Sequence, residues 1–286
     1  MFKTAVLVSG GGTNLQSLID YQKSHADCPY KICVVISSTK NAYALERAIT
    51  AGIDCGVKSP FSVMGKEAAQ KASREEKNAA VSDAILEECK LRGIDGIVLA
   101  GYLSVLQGNI IQEYKNKIIN LHPALLPKFG GVGMWGHNVH EAVIAAKENE
   151  SGCTVHLVDG GCDTGKILVQ KKVPVMPGDT PDSLYERIAP NEHKAIVEGL
   201  LMLCSGKLWD FTKSFITSPA IIKPATDGTN DVLPGAGLPA VPFVSAELSY
   251  IIFTGSSFEY TTLSFLIPRS FKAFRIARAR GQTLVL

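Results

Sequence analysis

The sequence predicts an α/β protein: an open, mainly parallel twisted sheet with helices on both faces, followed by a C-terminal extension. Three observations predict it. Short runs rich in Val, Ile and Leu alternate with segments of helical spacing over residues 1–212. Those runs are apolar at successive positions, which marks strands buried on both faces. A glycine-rich turn, Ser9-Gly10-Gly11-Gly12-Thr13-Asn14, follows the first run and opens the first helix, as in sheets of this kind.

Taken in order, the expected strands are Ala5–Ser9, Ile32–Ser37, Gly96–Ala100 and Ile118–Leu121, each ending in a small or polar residue or a polar neighbour. Between them, Asn14–Lys23, Ala42–Ala51, Ser82–Arg92 and Asn109–Lys117 space their apolar residues as helices do. Thr154–Val158 and Ile167–Val175 read as two further strands, a return hairpin across Asp159 to Lys166. Thr180 to Leu203 reads as a long closing helix: Thr180, Pro181 and Asp182 are good starting residues, and Gly206 lies past its end.

Composition changes near residues 210–215. From Pro224 to Pro268 there is no Lys or Arg, while Gly, Pro, Ser and Thr are abundant, and Arg269 to Arg280 is basic. We therefore divide the chain into residues 1–212 and an extension, residues 213–286. Its composition fits a floppy segment, a small β-rich appendage or sequence of non-native origin, and disorder or partial order is expected.

Bulk numbers exclude several classes. With 286 residues, 46% apolar and 20% charged, the chain can bury a sizeable core. A net charge of +2 offers nothing to nucleic acid or a membrane surface. The 7 cysteines are odd in number and scattered, which suits reduced thiols. The start, Met1 to Leu7, enters a strand directly without a secretory pattern. Tyr250 to Ile267, the nearest approach to a membrane span, contains Glu259. A cytoplasmic protein is expected, monomer or homodimer.

Chemistry concentrates at Asn120-Leu121-His122-Pro123. Residues two apart on a strand share a face, so Asn120 and His122 point together. Pro123 biases His122 toward extended backbone, so the imidazole ends the strand. With Asp163, the set offers an amide donor, a titratable ring and a carboxylate, able to stabilise an oxyanion and move a proton. The Gly10–Asn14 loop can present N–H groups to an anion, with Thr13 or Asn14 capping the helix. Leu15 and the end of the second run, Ser37-Ser38-Thr39, break the dinucleotide pattern, favouring a simple phosphate. Gly160 to Lys166 imitates a P-loop, but Ile167 and a strand follow, so an ATP site is rejected. Cys153, His156 and Cys162 lack the paired spacing of metal ligands. His156 itself reads as a core or supporting residue, and His25, His137, His140 and His193 offer no comparable setting.

Val6-Leu7-Val8-Ser9-Gly10-Gly11-Gly12-Thr13-Asn14-Leu15-Gln16 resembles the opening of the phosphoribosylglycinamide formyltransferase family. So do Val98 to Tyr102, Asn120-Leu121-His122-Pro123-Ala124-Leu125-Leu126-Pro127, and Gly152 to His156 running on to Asp163-Thr164-Gly165. The likeness covers roughly residues 3–212. It implies a Rossmann-like formyltransferase fold and transfer of a formyl group from 10-formyltetrahydrofolate to the amine of glycinamide ribonucleotide, in purine synthesis, without metal. By resemblance Asn120, His122 and Asp163 are catalytic, and Gly12, Thr13, Asn14 and Glu192 bind the ribonucleotide. Arg74, Leu103, Ser104, Val105 and Leu106 would contact folate, with Asn120 and the loop Asp159, Gly160, Gly161, Cys162 and Asp163. Ser104 stands where the family usually shows a basic residue. Asp163 is expected to raise the His122 pKa and favour its cationic form.

Two alternatives share the scaffold, and a third departs from catalysis. A methionyl-tRNA formyltransferase should carry a basic C-terminal module. A formyltetrahydrofolate hydrolase should carry an N-terminal domain, for which no room is expected before Lys3. A ligand-binding protein that kept the fold would not need the Asn120, His122 and Asp163 set.

Overall fold

In the computed structural model, residues 1–206, 243–254 and 257–268 are described here, with side chains for residues 1–206. The chain divides into two units, Met1–Asp210 and Phe211–Leu286. The first carries strands β1 (Phe2–Val8), β2 (Tyr30–Ser37), β3 (Cys55–Val57), β4 (Gly96–Leu99), β5 (Ile118–His122), β6 (Glu150–Leu157) and β7 (Ile167–Pro174). Its helices are α1 (Thr13–Ser24), α2 (Tyr43–Thr50), α3 (Pro60–Met64), α4 (Lys66–Lys71), α5 (Arg74–Arg92), α6 (Asn109–Glu113), α7 (His137–Ala145) and α8 (Pro181–Cys204).

The strands form one 7-stranded sheet in the order β3-β2-β1-β4-β5-β6-β7. Pairs β1/β2, β1/β4, β2/β3 and β4/β5 are parallel, while β5/β6 and β6/β7 are antiparallel. The expected architecture, hairpin included, is therefore present. The chain leaves β1 toward one edge through β2 and β3, then crosses back to β4, so the order reverses beside β1. In open sheets of this kind, ligands sit outside the carboxyl ends of the strands at such a reversal.

Why β1 sits at the centre follows from its side chains. Ala5 and Leu7 enter the core on one face, while Val6 and Val8 enter the other. Helices α1, α2 and α8 supply the second core through Leu15, Leu18, Ala44, Ala48, Leu184 and Leu200. Helices α5 and α6 supply the first through Val81, Ile85, Cys89 and Ile110. The Leu, Ile and Val side chains among them each contribute about 1.5–3 kcal/mol when fully buried.

Helix boundaries follow local chemistry. α5 begins earlier than expected, because Ser73 and Glu76 close a reciprocal capping box: the Glu76 N–H donates to Ser73 Oγ at 3.1 Å and the Ser73 N–H to Glu76 Oε2 at 2.7 Å. α6 stops earlier than expected, since Asn116 is left-handed with φ 60°. α8 starts on a Thr180–Ser183 capping box. Its Pro190 sits inside the helix, where it removes one backbone donor. β3, α3, α4 and α7 had no sequence expectation; each is short or follows a glycine-rich stretch.

In the second unit, Phe243–Thr254 (β8) and Ser257–Pro268 (β9) pair antiparallel. Apart from these strands, the expectation of disorder for residues 213–286 lies outside the described residues. No helix among the described residues is long and apolar enough to cross a membrane. All seven cysteines are free.

Gly199 marks the closest approach of α8 to the sheet: a Cβ there would meet Val155 Cγ1 at 2.5 Å. Val155 is fully buried and has no room to retreat. Gly199→Ala should destabilise the first unit by about 1–3 kcal/mol through overpacking, read as a lower midpoint in urea. An unchanged midpoint would show that α8 can slide.

Candidate active site

β5 and β6 run antiparallel with Asn120 opposite His156 and His122 opposite Thr154. That register puts Asn120, His122 and His156 on one face at one end of the sheet. The turn after β6 then returns Asp163 to the same place. Asp163 is left-handed, φ 57°, a conformation that Asp tolerates better than most residues. Its carboxylate is the hub. Oδ2 accepts the Gly131 N–H at 3.0 Å and lies 3.5 Å from His122 Nδ1. Oδ1 lies 3.4 Å from His156 Nε2 and accepts from Asn120 Nδ2 at 3.5 Å. Gly130 allows the approach, because a Cβ there would meet Leu126 Cδ2 at 2.6 Å and Asp163 Cβ at 3.3 Å.

Tautomers follow from the partners. His156 Nδ1 lies 2.8 Å from the Leu157 carbonyl, which can only accept, so Nδ1 carries a proton. In the neutral ring Nε2 is then an acceptor, and Asn120 Nδ2 donates to it at 3.1 Å. The Asn120 amide is thereby oriented by a buried histidine. Its second N–H has only the long contact to Asp163. His122 Nε2 donates to the Phe129 carbonyl at 2.8 Å. Phe129 is itself left-handed, φ 55°, in the loop that leads to Gly131.

Electrostatics corrects one expectation. His122 is 3% exposed, and burial pushes its pKa below the ordinary value; the Asp163 charge and the Phe129 carbonyl push upward and His156 downward. Asp163 is near, as expected, yet desolvation outweighs it, so the resting ring is neutral. Burial alone would push the Asp163 carboxyl up. Contacts from His156, the Gly131 N–H and the imidazole charges more than offset this and hold it below the ordinary carboxylate range. The Cys162 thiol, on an exposed residue, is pushed up by partial desolvation and by the Asp163 charge, so it stays protonated and is no ready nucleophile.

The glycine loop lies elsewhere along the same end of the sheet. Gly12, left-handed with φ 72°, is the N-cap of α1, and no side chain caps that helix. A Cβ at Gly12 would meet Ala44 Cβ at 2.6 Å, so only glycine fits. The expectation that Thr13 or Asn14 caps α1 is therefore wrong: both are inside the helix. Asn14 instead donates from Nδ2 to Glu192 Oε2 at 3.1 Å, and its Oδ1 is buried without a partner. Glu192 is 6% exposed, and burial raises its pKa against the opposing Asn14 bond. Tyr185 of α8 lies beside Thr13, which opposes the upward push of burial on its phenol. Tyr185 in turn faces His140 with ring centroids 5.8 Å apart, and His140 feels the charge of His122.

The remaining expected residues divide. Leu103 (59% exposed) and Val105 (50% exposed) stand out as apolar side chains on the surface beside β4. Leu106 turns into the core instead, and Ser104 lies near the Tyr102 phenol, whose buried oxygen has no hydrogen-bond partner among the described residues. Arg74 is exposed on the first turn of α5; the next residue, Glu75, accepts Gln107 Nε2 at 2.8 Å, which ties that turn to the same loop. Asp159 Oδ1 accepts the Gly161 N–H at 2.9 Å and the Thr164 hydroxyl at 2.7 Å, bracing its own turn, while Gly160, Gly161 and Cys162 are exposed. His156 and His140 were passed over as catalytic candidates on sequence; only the β5/β6 register and the α7 packing bring them here.

Residues 2–200 match the formyl transferase family model. The chain belongs to that family. It is 39% identical over 196 residues to phosphoribosylglycinamide formyltransferase of Haemophilus influenzae, covering 68% of this chain and 83% of that protein. It is 40% identical over 209 residues to the trifunctional purine biosynthetic protein adenosine-3 of Drosophila melanogaster, covering 71% of this chain but only 14% of that protein. Among solved structures, glycinamide ribonucleotide transformylase 1 from Symbiobacterium toebii superposes with TM-score 0.64 at 35% identity, over 72% of this chain and 89% of that one.

The histidines set a pH dependence of stability. His140 is 2% exposed, its Nδ1 has no partner, and burial with the neighbouring His137 and His122 lowers its pKa to about 4. A folded pKa below the unfolded value of about 6.5 means the unfolded chain binds the proton first. Stability is full above that value and falls as pH drops toward 4, by roughly 3 kcal/mol for this group. Urea midpoints at pH 7.5 and 4.5 should differ accordingly, and the difference should shrink in His140→Gln.

Proposed function

We propose that the chain transfers the formyl group of 10-formyltetrahydrofolate to the amine of glycinamide ribonucleotide. The observation that carries this reading is the convergence of Asn120, His122, His156 and Asp163 at one end of β5 and β6. The uncapped α1 terminus and the Asn14–Glu192 pair support a phosphorylated sugar as acceptor. Exposed Leu103 and Val105 support an apolar seat for the pterin, flanked by the Asp159–Asp163 turn. We assign all of this chemistry to residues 1–212. Seven unpaired cysteines suit a reducing, cytoplasmic setting.

The steps follow from the groups. The neutral amine of the ribonucleotide attacks the formyl carbon, and the carbonyl oxygen gains charge. The second N–H of Asn120 exchanges its long Asp163 contact for that oxygen. The nitrogen, now cationic, gives up a proton, and neutral His122 is the acceptor. Asp163, 3.5 Å from the ring, stabilises the imidazolium as it forms. The bond from carbon to N10 then breaks, and the proton passes to N10 directly or through water. For His122 Nε2 to take that proton, the Phe129 carbonyl must release it and the ring's own proton must move to Nδ1, beside Asp163. A positioned base and the Asn120 oxyanion donor cover the charge that develops, so the steps invoke no metal.

Turnover of a 10-formyl dideaza folate, followed by absorbance, tests the reading. Turnover that requires glycinamide ribonucleotide is expected. Turnover without it would mean hydrolysis, and none at all would mean a binding protein. Asn120→Ala should lower kcat by about 10²–10³-fold and His122→Ala by about 10²–10⁴-fold, with ribonucleotide binding retained. Near-normal rates in His122→Ala would sink the assignment. His156→Leu should lower kcat with little change in either KM, because it frees the Asn120 amide to rotate; His156→Gln should recover part of the loss. Glu192→Ala should instead raise the KM for the ribonucleotide.

A further inference from the structure

Ser9 is the residue immediately after β1, and neither substrate's proposed contacts include it. We propose that its hydroxyl couples the two halves of the site, so that filling the ribonucleotide side tightens folate binding and the reverse. This rests on the formyl-transfer reading and adds to it a route by which one substrate senses the other.

Three strand ends meet at this hydroxyl. The Leu103 N–H donates to Ser9 Oγ at 2.9 Å, across 94 positions of sequence. The same oxygen lies 2.6 Å from Ser38 Oγ, and the Ser38 N–H donates to the Val8 carbonyl at 3.0 Å. Ser9 follows β1, Ser38 follows β2, and Leu103 opens the loop after β4, three neighbours in the sheet. A hydroxyl offers one proton and two lone pairs, so Ser9 serves Leu103 and Ser38 together.

On one side of Ser9 the chain runs straight into the glycine loop. That loop is held from behind: Gly10 carbonyl accepts the Ala44 N–H at 3.1 Å, and Gly11 carbonyl accepts Arg47 Nε at 2.8 Å. On the other side, Leu103 leads the exposed apolar pair Leu103 and Val105. An anion seated on the loop N–H groups fixes the backbone through Gly10 and hence the Ser9 oxygen. With that acceptor fixed, the Leu103 backbone has its bonded position ready before folate arrives. The same link works in reverse, as thermodynamic reciprocity demands. Ser9 is thus a positioning residue: it touches neither reacting atoms nor ligand, and acts through the Leu103 amide.

The test measures affinity, not rate, on the full chain. Glycinamide ribonucleotide is titrated calorimetrically with and without saturating deformylated dideaza folate, which cannot react, and the titration is repeated in the opposite order. In the wild type each ligand should tighten the other by about three- to tenfold, as one hydrogen bond allows. Ser9→Ala should bring that ratio to about one while each ligand alone still binds. Ser9→Thr keeps the oxygen and should keep most of the ratio. Ser38→Ala removes only the anchor and should give an intermediate value. A purely structural serine would lower the melting temperature and leave the ratio untouched. A wild-type ratio of one, an unchanged ratio in Ser9→Ala, or equal losses in Ser9→Ala and Ser9→Thr each overturn the coupling. Should Ser9→Ala not fold, an unchanged ratio in Ser38→Ala overturns it. Failure of the wild type to bind either ligand overturns the formyl-transfer reading, and this proposal with it.

Discussion

The Asp163 carboxylate is the constraint on which the site depends. It is mostly withdrawn from water, sits on a left-handed backbone, and is approached by two imidazoles, one amide and one backbone N–H. A carboxylate so placed would be costly without partners, since desolvation favours its neutral form. The Gly131 and Asn120 N–H groups steady the charge, and either imidazole is steadied by it in turn on gaining a proton. Removing Asp163 would leave His122, His156, Asn120 and the Gly130–Gly131 strand of loop without a common acceptor.

The sheet explains how so many groups arrive together. Strand order reverses beside β1, and the antiparallel addition of β6 and β7 extends the sheet past β5 on the far side. The glycine loop, the apolar loop after β4 and the cluster of Asn120, His122, His156 and Asp163 thus lie along one end of the sheet. Both faces of the sheet are packed by helices, and side chains two apart on β5 keep their common direction.

Much of this was legible in the sequence, for reasons that can be named. Continuous apolar runs announced β1, β2, β4 and β5, and the two-residue spacing of Asn120 and His122 is a local property that no tertiary contact can undo. The hairpin after β6 was legible for the same local reason. β3, three residues long, carries no periodicity to read, and α7 emerges from a loop whose glycines break the pattern. The role of His156 was hidden because its partner is set by antiparallel register, which connects Asn120 with a residue thirty-six positions away. For His122 the sequence pointed to the neighbouring acid but gave no measure of burial, and burial decides the sign of the shift. The role of Tyr185, between Thr13 and His140, had no sequence signal at all.

The seam between β5 and β6 has a consequence for how the protein loses activity. His156 and Asp163 are joined by one short hairpin, and Asn120 and His122 by one strand, so the four groups form two locally tethered pairs. A single docking event aligns both pairs. Slippage by one residue along that seam would turn every inward group outward at once. Heat or denaturant should therefore silence the enzyme in one step, with no half-assembled centre along the way, and residual turnover becomes a sensitive gauge of whether this seam is closed.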